Sequence, residues 1–329
     1  MILAGDIGGT NARLALFESD GGKLREIVGE TFPTRQHKSL EEIVAKFVGN
    51  HSAKVEHACF GIAGPIHDGR AQGPNLAWSI EARLLAKAAG IASARLINDL
   101  EANAFGIATL SDKDFATLNP GAPDAIGNQA VISAGTGLGE AGLYWDGKYH
   151  RAFASEGGHC DFAPRDEIEG ELFLWLHKKF GHASWERVLS GPGLHNIYDF
   201  LRESGRFGKE PEWFAEETKH ADASAVISRA ALAARSELCV KALEMFVSVY
   251  GAEAGNVALK FFAVGGIFLG GGIAPKIEPA LRKPQFVESF IAKGRMSALL
   301  ERIPVRIVLN DLTALMGAAR CAALDAGLA

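Results

Sequence analysis

Three short glycine clusters are the feature of this 329-residue sequence with the clearest chemical meaning. Glycine carries no Cβ, so consecutive backbone N–H groups can surround an anion, and an adjacent threonine adds a hydroxyl donor. A single cluster would be typical of an ordinary hairpin turn. Two of the three clusters contain threonine, and two such turns predict a site for two phosphate groups. The clusters are Asp6-Ile7-Gly8-Gly9-Thr10-Asn11, Ala134-Gly135-Thr136-Gly137-Leu138-Gly139 and Gly270-Gly271-Gly272-Ile273.

Two common nucleotide-binding motifs are excluded for these clusters. The spacing of Gly137, Gly139 and Gly142 matches the dinucleotide-binding fingerprint, but that fingerprint requires a helix after its glycines. The residues that follow, Leu143-Tyr144-Trp145, are typical of a strand. The sequence contains no GxxxxGK motif followed by serine or threonine, so a P-loop is excluded as well.

Carboxylates follow two of the predicted strands. Asp6 stands where the first strand meets the first glycine turn, and Asn98-Asp99 follow the apolar run from Ala94 to Ile97. Oxygen ligands suit Mg²⁺, so Asp6 could hold the hydrated ion beside the phosphates, although an Asx-turn would also explain an aspartate there. Asn98 and Asp99 are equally typical of a helix N-cap. The residue types alone leave these alternatives open.

Strands and helices alternate around these residues, which indicates the α/β class. The chain opens with two short strands joined by a glycine turn, and this pattern returns about 128 residues later, which suggests two halves built on similar hairpins. The capping box that begins at Ser39 predicts a helix with apolar positions up to Val48. The predicted strands are Ile2 to Ala4, Leu14 to Phe17, His57 to Ala63, Ala94 to Ile97, Ala130 to Ala134 and Gly142 to Trp145.

From about residue 165 the pattern becomes rich in helices. The predicted elements are helices at Asp166 to Phe180, Ala183 to Leu189, about Ser224 to Tyr250 and Leu312 to Leu324, a strand pair at Phe261 to Leu269 and a strand at Val305 to Leu309.

The length is about twice that of a usual single domain, which favours two domains. We predict a small α/β domain from residues 1–110 plus 311–329 and a large α/β domain from residues 111–310. The linker candidate is the stretch from Ser111 to Gly127, which is rich in Ser, Asp, Pro and Gly. With 48% hydrophobic and 22% charged residues, the composition excludes disordered, collagen-like and disulfide-scaffold proteins.

The charge balance and the spacing of the cysteines limit the expected binding partners and the expected cellular location. The 34 basic and 39 acidic residues give a net charge of −5 without a basic cluster, so neither nucleic acid nor an anionic membrane is an expected partner. The longest uncharged apolar run, Phe261 to Pro275, falls short of the roughly 20 residues of a membrane span, and no secretory signal is evident. The wide spacing of the four cysteines predicts reduced core residues of a cytoplasmic protein without structural zinc.

The order and spacing of the motifs closely resemble those of the bacterial ATP-dependent glucokinases. The resemblance covers nearly the whole chain. The sequence lacks the zinc-binding cysteine and histidine cluster of a related family, so it most resembles the zinc-free branch of these enzymes. The stretches that carry it are Gly5 to Leu16, Asn98-Asp99, Gly135 to Gly139, Glu156 to Pro164, Glu186 to Leu194 and Gly271 to Ile273.

The resemblance implies the fold of sugar kinases, actin and heat-shock chaperones, in which two ribonuclease-H-like domains flank a central cleft. It implies ATP as co-substrate with Mg²⁺ held at Asp6 through water, a homodimer, and Asp99 as the catalytic base. The implied glucose site is Asn75, Asn98, Asp99, Glu156, His159 and Glu186. The implied ATP and phosphate site is Asp6, Gly8, Gly9, Thr10, Asn11, Gly135, Thr136 and Gly137, with Gly271 and Gly272 near the adenosine end.

Each of these residues also has an ordinary structural explanation. His159 could be a structural histidine, Glu156 a solvated side chain, and Glu186 one member of an exposed helix face. For the whole protein, the expected reaction is phosphorylation of D-glucose at O6 to glucose 6-phosphate, the first step of glycolysis. The alternatives are a kinase of a related hexose, such as fructose, mannose or an N-acetylated hexosamine, and a non-catalytic sugar sensor.

Overall fold

The computed structural model describes residues 1–72, 76 and 78–328. The chain forms two units, each with close internal contacts. The first unit comprises Met1–Asp114, Asp146–Ala154 and Asn310–Ala329, and the second comprises Phe115–Trp145 and Ser155–Leu309. Among the described residues, no helix is both long enough and apolar enough to cross a membrane.

The first unit is built on a five-stranded sheet in the order β3-β2-β1-β4-β8. Strands β1 and β2 form an antiparallel hairpin, whereas β1, β4 and β8 run parallel. A separate small sheet has the order β5-β6-β7. The strands are β1 (Ile2–Ile7), β2 (Asn11–Asp20), β3 (Lys23–Pro33), β4 (His57–Ile62), β5 (Ile66–His67), β6 (Arg70–Ala71), β7 (Ile80–Glu81) and β8 (Arg95–Asn98).

Helices cover both faces of this sheet, which explains why its central strands are apolar at nearly every position. Leu3 and Ile7 belong to the core under helices α1 and α2, and Ile2 and Ala4 belong to the core under α3 and α12. Ser39 caps α1 by accepting a hydrogen bond from the Glu42 N–H, so the predicted capping box is confirmed. The helices are α1 (Leu40–Asn50), α2 (Ala82–Ala89), α3 (Asp99–Ile107) and α12 (Thr313–Asp325).

The second unit repeats this plan around an antiparallel hairpin, β10 and β11, with β13 and β14 parallel to β10. Within the unit the strand order is β11-β10-β13-β14-β9, and β9 is antiparallel to β14. Strand β12 (His150–Ser155) lies at the point in the chain where the first unit gives way to the second. The other strands are β9 (Phe115–Asn119), β10 (Gln129–Ala134), β11 (Leu138–Trp145), β13 (Gly266–Gly270) and β14 (Val305–Val308).

Eight helices lie within the second unit, and the longest, α8, contributes many of the fully buried residues of its core. They are α4 (Glu167–Phe180), α5 (Gly191–Ser204), α6 (Glu212–Glu217), α7 (Ala223–Leu232), α8 (Glu237–Lys260), α9 (Glu278–Leu281), α10 (Pro284–Ile291) and α11 (Ser297–Glu301). The α/β class and the recurrence of the hairpin are therefore confirmed.

Three predicted elements of the second unit are wrong. The segment from Ser224 to Tyr250 is two helices, because Ala234 adopts a left-handed conformation and Ser236 caps the start of α8. The segment from Ala183 to Leu189 contains only a short 3₁₀ turn, Trp185–Arg187, since Ser190 caps a new helix immediately afterwards. The segment from Phe261 to Leu269 contains the single strand β13, because α8 continues to Lys260.

Helices α3 and α12 pack so closely that a Cβ on Gly317 would overlap the backbone oxygen of Ala102. We expect Gly317→Ala to lower the free energy of unfolding by about 2 kcal/mol or more, because neither backbone can retreat without disturbing the sheet. Gly49→Ala is the matched control, since Gly49 is helical and a Cβ there meets no atom within 4 Å. It should raise the free energy of unfolding by about 0.5 kcal/mol. Urea unfolding of both variants checks this, and equal effects would contradict the packing argument.

Candidate active site

The parallel strands of the first unit end side by side. Ile7 of β1 pairs with Ile62 of β4, and Ile62 pairs with Asn98 of β8. The segments that follow these strand ends therefore lie along one edge of the sheet, as expected for the carboxyl ends of parallel strands. This edge carries the Asp6 side of the first glycine turn and the Asn98-Asp99 pair, so the register brings the predicted residues of this unit together.

The first glycine turn is held by a residue that the sequence analysis missed, Thr34. Its backbone N–H donates to the Thr10 oxygen at 2.9 Å, and its hydroxyl donates to the Gly9 oxygen at 2.7 Å. The turn is closed by a hydrogen bond from the Gly8 N–H to the backbone oxygen of Asn11 at 2.9 Å. In a planar trans peptide the N–H points opposite to the C=O, so the Thr10 N–H is directed away from the Thr34 hydroxyl.

Thr34 is fully buried and lies directly after β3, where it looks like an ordinary loop residue following a proline. Only the pairing of Asn11 with Pro33 places it against the glycine turn. That pairing is a long-range property, and no local pattern signals it.

The sequence left open whether Asn98 and Asp99 cap a helix or form part of a site at a strand end, and the structure is compatible with both. The Asn98 Oδ1 accepts a hydrogen bond from the Leu100 N–H at 2.9 Å, so Asn98 is the N-cap of α3. Its Nδ2 donates to the Gly64 oxygen at 3.1 Å, which fixes the neighbouring strand end. Asp99 is the first residue of α3, and its Oδ1 also accepts from the Leu100 N–H at 2.9 Å. The cap orients the pair and leaves the Asp99 carboxylate at the sheet edge.

Burial raises the pKa of Asp99 to about 6, the Leu100 N–H opposes this shift, and the charge of Asp6 adds to it. Burial also raises the pKa of Asp6; the charge of Arg13 lowers it, and the charge of Asp311 raises it. Near neutral pH this edge therefore carries an ionised base whose pKa is close to the working range, which is where a general base is most effective.

The second glycine turn is organised around Leu138. The Leu138 N–H donates to the Glu186 Oε2 at 3.0 Å, and the Gly135 oxygen accepts from the Gly191 N–H at 2.8 Å. A Cβ on Gly137 would lie 2.6 Å from the Glu186 Oε2, so this carboxylate needs glycine at that position. Glu186 belongs to the 3₁₀ turn and is half-buried, which excludes the alternative of an exposed helix face.

Glu156 and His159 lie on a tight turn next to β11, the strand that begins at Leu138. The 3₁₀ turn Gly157–His159 packs on β11, and the backbone N–H of His159 donates to the backbone oxygen of Glu156 at 3.0 Å. Their side chains are mostly exposed, 79% for Glu156 and 61% for His159, with the His159 Nε2 and Glu156 Oε2 4.0 Å apart. Exposure fits a ligand-binding role for His159 better than that of a satisfied core histidine.

The third glycine cluster follows β13 and meets the end of β10. Ile273 donates its N–H to the Ala134 oxygen at 3.3 Å. Gly271 and Gly272 therefore lie beside the strand end from which the second glycine turn departs. The remaining predicted site residue, Asn75, lies outside the described residues.

Solved structures define the class of the fold. The chain is similar to a glucokinase from an Antarctic psychrotroph, with 34% identity, 98% of each chain covered and a TM-score of 0.86. A ROK family glucokinase from Streptomyces griseus shares the fold at 22% identity, with a TM-score of 0.64 and coverage of 98% of this chain and 99% of that one. The fold is that of the sugar kinases with actin-like ATPase architecture, as the resemblance implied.

Sequence comparisons then define the family. The glucokinase family model matches residues 3–325. The glucokinase of Nostoc punctiforme is 43% identical over 337 residues, which cover 98% of this chain and 99% of that protein. The glucokinase of a Synechocystis species is 43% identical over 345 residues, covering 98% and 97%. The chain belongs to the glucokinase family.

The buried charge of Asp99 should make the native state less stable. The pKa of Asp99 rises from 3.8, its ordinary value, to about 6 in the native state. Above about pH 6 the carboxyl is ionised in both states, and the ionised form is less stable in the native protein than in the unfolded chain. We expect Asp99→Asn to raise the free energy of unfolding at neutral pH by about 1–2 kcal/mol, a figure reduced for the partial exposure of the side chain. The gain should disappear as the pH falls below about 4, where the carboxyl is neutral in both states.

Urea unfolding at neutral and acidic pH measures this difference. Asp20→Asn, at an exposed position in the same unit, is the control and should leave stability unchanged. A loss of stability in Asp99→Asn at neutral pH would show that the carboxylate is well accommodated, contrary to the electrostatic argument.

Proposed function

We propose that this chain transfers the γ-phosphoryl group of ATP to O6 of D-glucose, giving glucose 6-phosphate and ADP, the first step of glycolysis. The observation that supports this most directly is the edge of the first unit's sheet. There Asp99, with a pKa raised to about 6, lies along the same edge as a glycine turn whose Thr10 N–H is directed away from the Thr34 hydroxyl, in a chain of the glucokinase family.

Asp99 would act as the general base. It is ionised at pH 7 to 8 and would accept the proton of the O6 hydroxyl as O6 forms its bond to the γ-phosphorus and the bond to the ADP oxygen breaks. The Leu100 N–H fixes one carboxylate oxygen, so the side chain needs little reorganisation during the reaction.

The glycine turns would hold the phosphates of ATP. The role assigned to Thr34 supports this, because it binds two carbonyl groups of the first turn and directs the Thr10 N–H away from itself. In the second unit, the Glu186 carboxylate accepts from the Leu138 N–H and the Gly191 N–H donates to the Gly135 oxygen, so the second turn is also held in place. The proposed phosphate-binding residues are Gly8, Gly9, Thr10, Asn11, Gly135, Thr136 and Gly137, with Gly271 and Gly272 toward the adenosine.

Glucose would be recognised by carboxylate, amide and imidazole groups. A site that hydrogen-bonds several hydroxyls rejects stereoisomers that leave its polar groups unpaired. Glu186 already uses one carboxylate oxygen on the Leu138 N–H, which orients the other oxygen for a sugar hydroxyl. The proposed sugar-binding residues are Asn75, Asn98, Asp99, Glu156, His159 and Glu186.

The residues of the first unit fit a divalent cation. Asp6 is a largely buried carboxylate whose pKa is raised despite Arg13, and its charge in turn raises the pKa of Asp99. Such an environment favours a hard cation with oxygen ligands. Asp6 would hold Mg²⁺ through water, and the bound ion would neutralise charge on the β- and γ-phosphates. The expected absence of structural zinc stays a prediction.

Assembly and location remain proposals. We infer a cytoplasmic protein from its use of ATP and its four free cysteines, three of them buried. The homodimer implied by the resemblance, and the lack of nucleic-acid and membrane partners, stay predictions that light scattering and binding assays can test. We propose that the two units correspond to the predicted domains of residues 1–110 plus 311–329 and 111–310. The segment Asp146–Ala154, which belongs to the first unit, would then be an extension of the small domain.

An ADP-release assay with a panel of hexoses tests the function. We expect the highest kcat/KM for glucose, with fructose, mannose and N-acetylglucosamine clearly lower, because the hydroxyl pairing is specific. Equal or higher kcat/KM for another hexose would favour the related-hexose alternative. Glucose binding without any turnover in the presence of MgATP would favour the sensor.

Asp99→Asn should lower kcat at least about 100-fold while changing the glucose affinity much less, because it removes the proton acceptor and keeps the shape. The kcat/KM for glucose of the unsubstituted enzyme should fall below pH about 6, where Asp99 becomes protonated. The residual activity of the variant should lack this acid limb. A kcat close to that of the unsubstituted enzyme would exclude Asp99 as the base.

Thr34→Val should raise the KM for ATP about fivefold to tenfold, since the Gly9 oxygen loses a hydrogen bond that fixes the turn. Thr34→Ser is the matched control because it keeps the hydroxyl, and it should have a KM for ATP close to that of the unsubstituted enzyme. The KM for glucose should change little in either variant. Equal ATP kinetics in the two variants would contradict a positioning role for the hydroxyl.

A further inference from the structure

A buried acid with no role in the reaction described above lies on β11, two residues after Leu138. Glu140 is 1% exposed, and its Oε1 is a buried oxygen without a hydrogen-bond partner in the part of the chain that the structure describes. An unsatisfied buried acceptor is costly, so its environment must supply a donor or the group must carry a proton.

The neighbours of Glu140 favour the proton. Glu253 on α8, fully buried, lies within hydrogen-bonding reach of the Glu140 carboxyl. Glu253 is itself satisfied as a carboxylate, because its oxygens accept from Asn256 at 2.7 Å and from the Lys260 ammonium at 3.1 Å. One proton on Glu140 would therefore give both acids a partner.

Two lysines, Lys260 and Lys293, face this pair, and burial lowers the pKa of Lys293 to about 8, so Lys293 also loses its charge at alkaline pH. Lys260 is the cation in direct contact with Glu253, and Lys293 donates to the Asn256 Oδ1 at 2.6 Å and to the Ala252 oxygen at 2.8 Å. Burial raises the pKa of Glu140 to about 8, the charge of Glu253 adds to the shift, and Lys260 opposes it. These effects favour the neutral form of Glu140 at neutral pH, in which its carboxyl could donate to the Glu253 carboxylate.

Glu140 also supports the turn that carries Glu156 and His159. Its Oε2 occupies the space of a Cβ on Gly157, so the carboxyl packs directly against the backbone of that turn. Ser155 ties the two together, because its hydroxyl donates to the Glu140 backbone oxygen at 3.0 Å and accepts from the Gly157 N–H at 3.2 Å.

We propose that Glu140 is a positioning residue for glucose binding: as a neutral acid it donates a hydrogen bond to Glu253, and in that form it supports the turn that carries Glu156 and His159. The proposal rests on the proposed function, since it assigns glucose to that turn. Loss of the proton places two carboxylates together in a buried site, and their repulsion pushes the Glu140 side chain toward Gly157. Glucose affinity then falls, whereas ATP binding is unaffected.

The test is the pH dependence of glucose binding in the full-length enzyme and in Glu140→Gln, which keeps a neutral donor at every pH. Between neutral pH and about 9.5, the KM for glucose and the calorimetric Kd of the unsubstituted enzyme should rise about tenfold as Glu140 ionises. In Glu140→Gln both should stay close to their neutral values. The KM for ATP should change little in either protein. Glu167→Gln, at an exposed position on α4, is the control and should keep the alkaline rise.

An alkaline rise that persists in Glu140→Gln, or a flat profile in the unsubstituted enzyme, overturns the proposal. An unsubstituted enzyme that does not phosphorylate glucose at all refutes the proposed function instead, so the two failures are distinguishable.

A second pair of variants keeps the test valid if Glu140→Gln does not fold. Gly157→Ala should weaken glucose binding because its Cβ overlaps Glu140, and Glu140→Ala in the same chain should restore part of the loss. Absence of any restoration, in a folded double variant, would also contradict the proposed contact.

Discussion

The backbone hydrogen bonds between the first strand of each hairpin and its parallel neighbour are the interaction on which the rest of the structure depends. In the first unit, β1 pairs with β4 and β4 with β8, and in the second β10 pairs with β13. Parallel pairing aligns the carboxyl ends of strands that are far apart in sequence. Each hairpin turn is thereby fixed at the same sheet edge as the segments that follow the parallel strands. A change of register by one residue would separate Asp99 from the first glycine turn.

The same arrangement places carboxylates where water is scarce. Asp6 and Asp99 stand at a buried sheet edge with Arg13 as the nearby cation, and Glu140 shares a buried site with Glu253. Burial makes each carboxyl less stable as an anion than it would be in water, which weakens the native state. For Asp99 the pKa rises to about 6, close to the pH range where a general base is most effective. For Asp99, the proposed role as general base and the stability of the fold are therefore opposed.

The sequence was sufficient for features with a local cause. The helix after Ser39 follows from its capping box, and both hairpins follow from short apolar runs around glycine turns. The family could be inferred from motifs in order, and the chain does belong to it. The function of the individual site residues, by contrast, remains a proposal.

The features that could not be predicted depend on contacts between distant segments. Thr34 acts on a turn that is more than twenty residues earlier, through the register of β2 and β3. Glu140 looks like one more residue of a strand until α8 places Glu253 beside it. The division between α7 and α8 depends on a left-handed residue, Ala234, which no apolar periodicity reveals. Periodicity reports which face of an element is buried and carries no information about what buries it.

The repetition of one hairpin plan in both units has an evolutionary consequence. The two copies share the order and direction of four strands, β2-β1-β4-β8 in the first and β11-β10-β13-β14 in the second. They hold their glycine turns by unrelated means, a buried threonine hydroxyl in the first and a glutamate carboxylate with a glycine N–H in the second. Because the strand pairing of the sheet fixes the position of each turn, each copy can carry its own anchor. Mutations can therefore retune one turn while the other keeps its geometry, so the two turns can evolve independently.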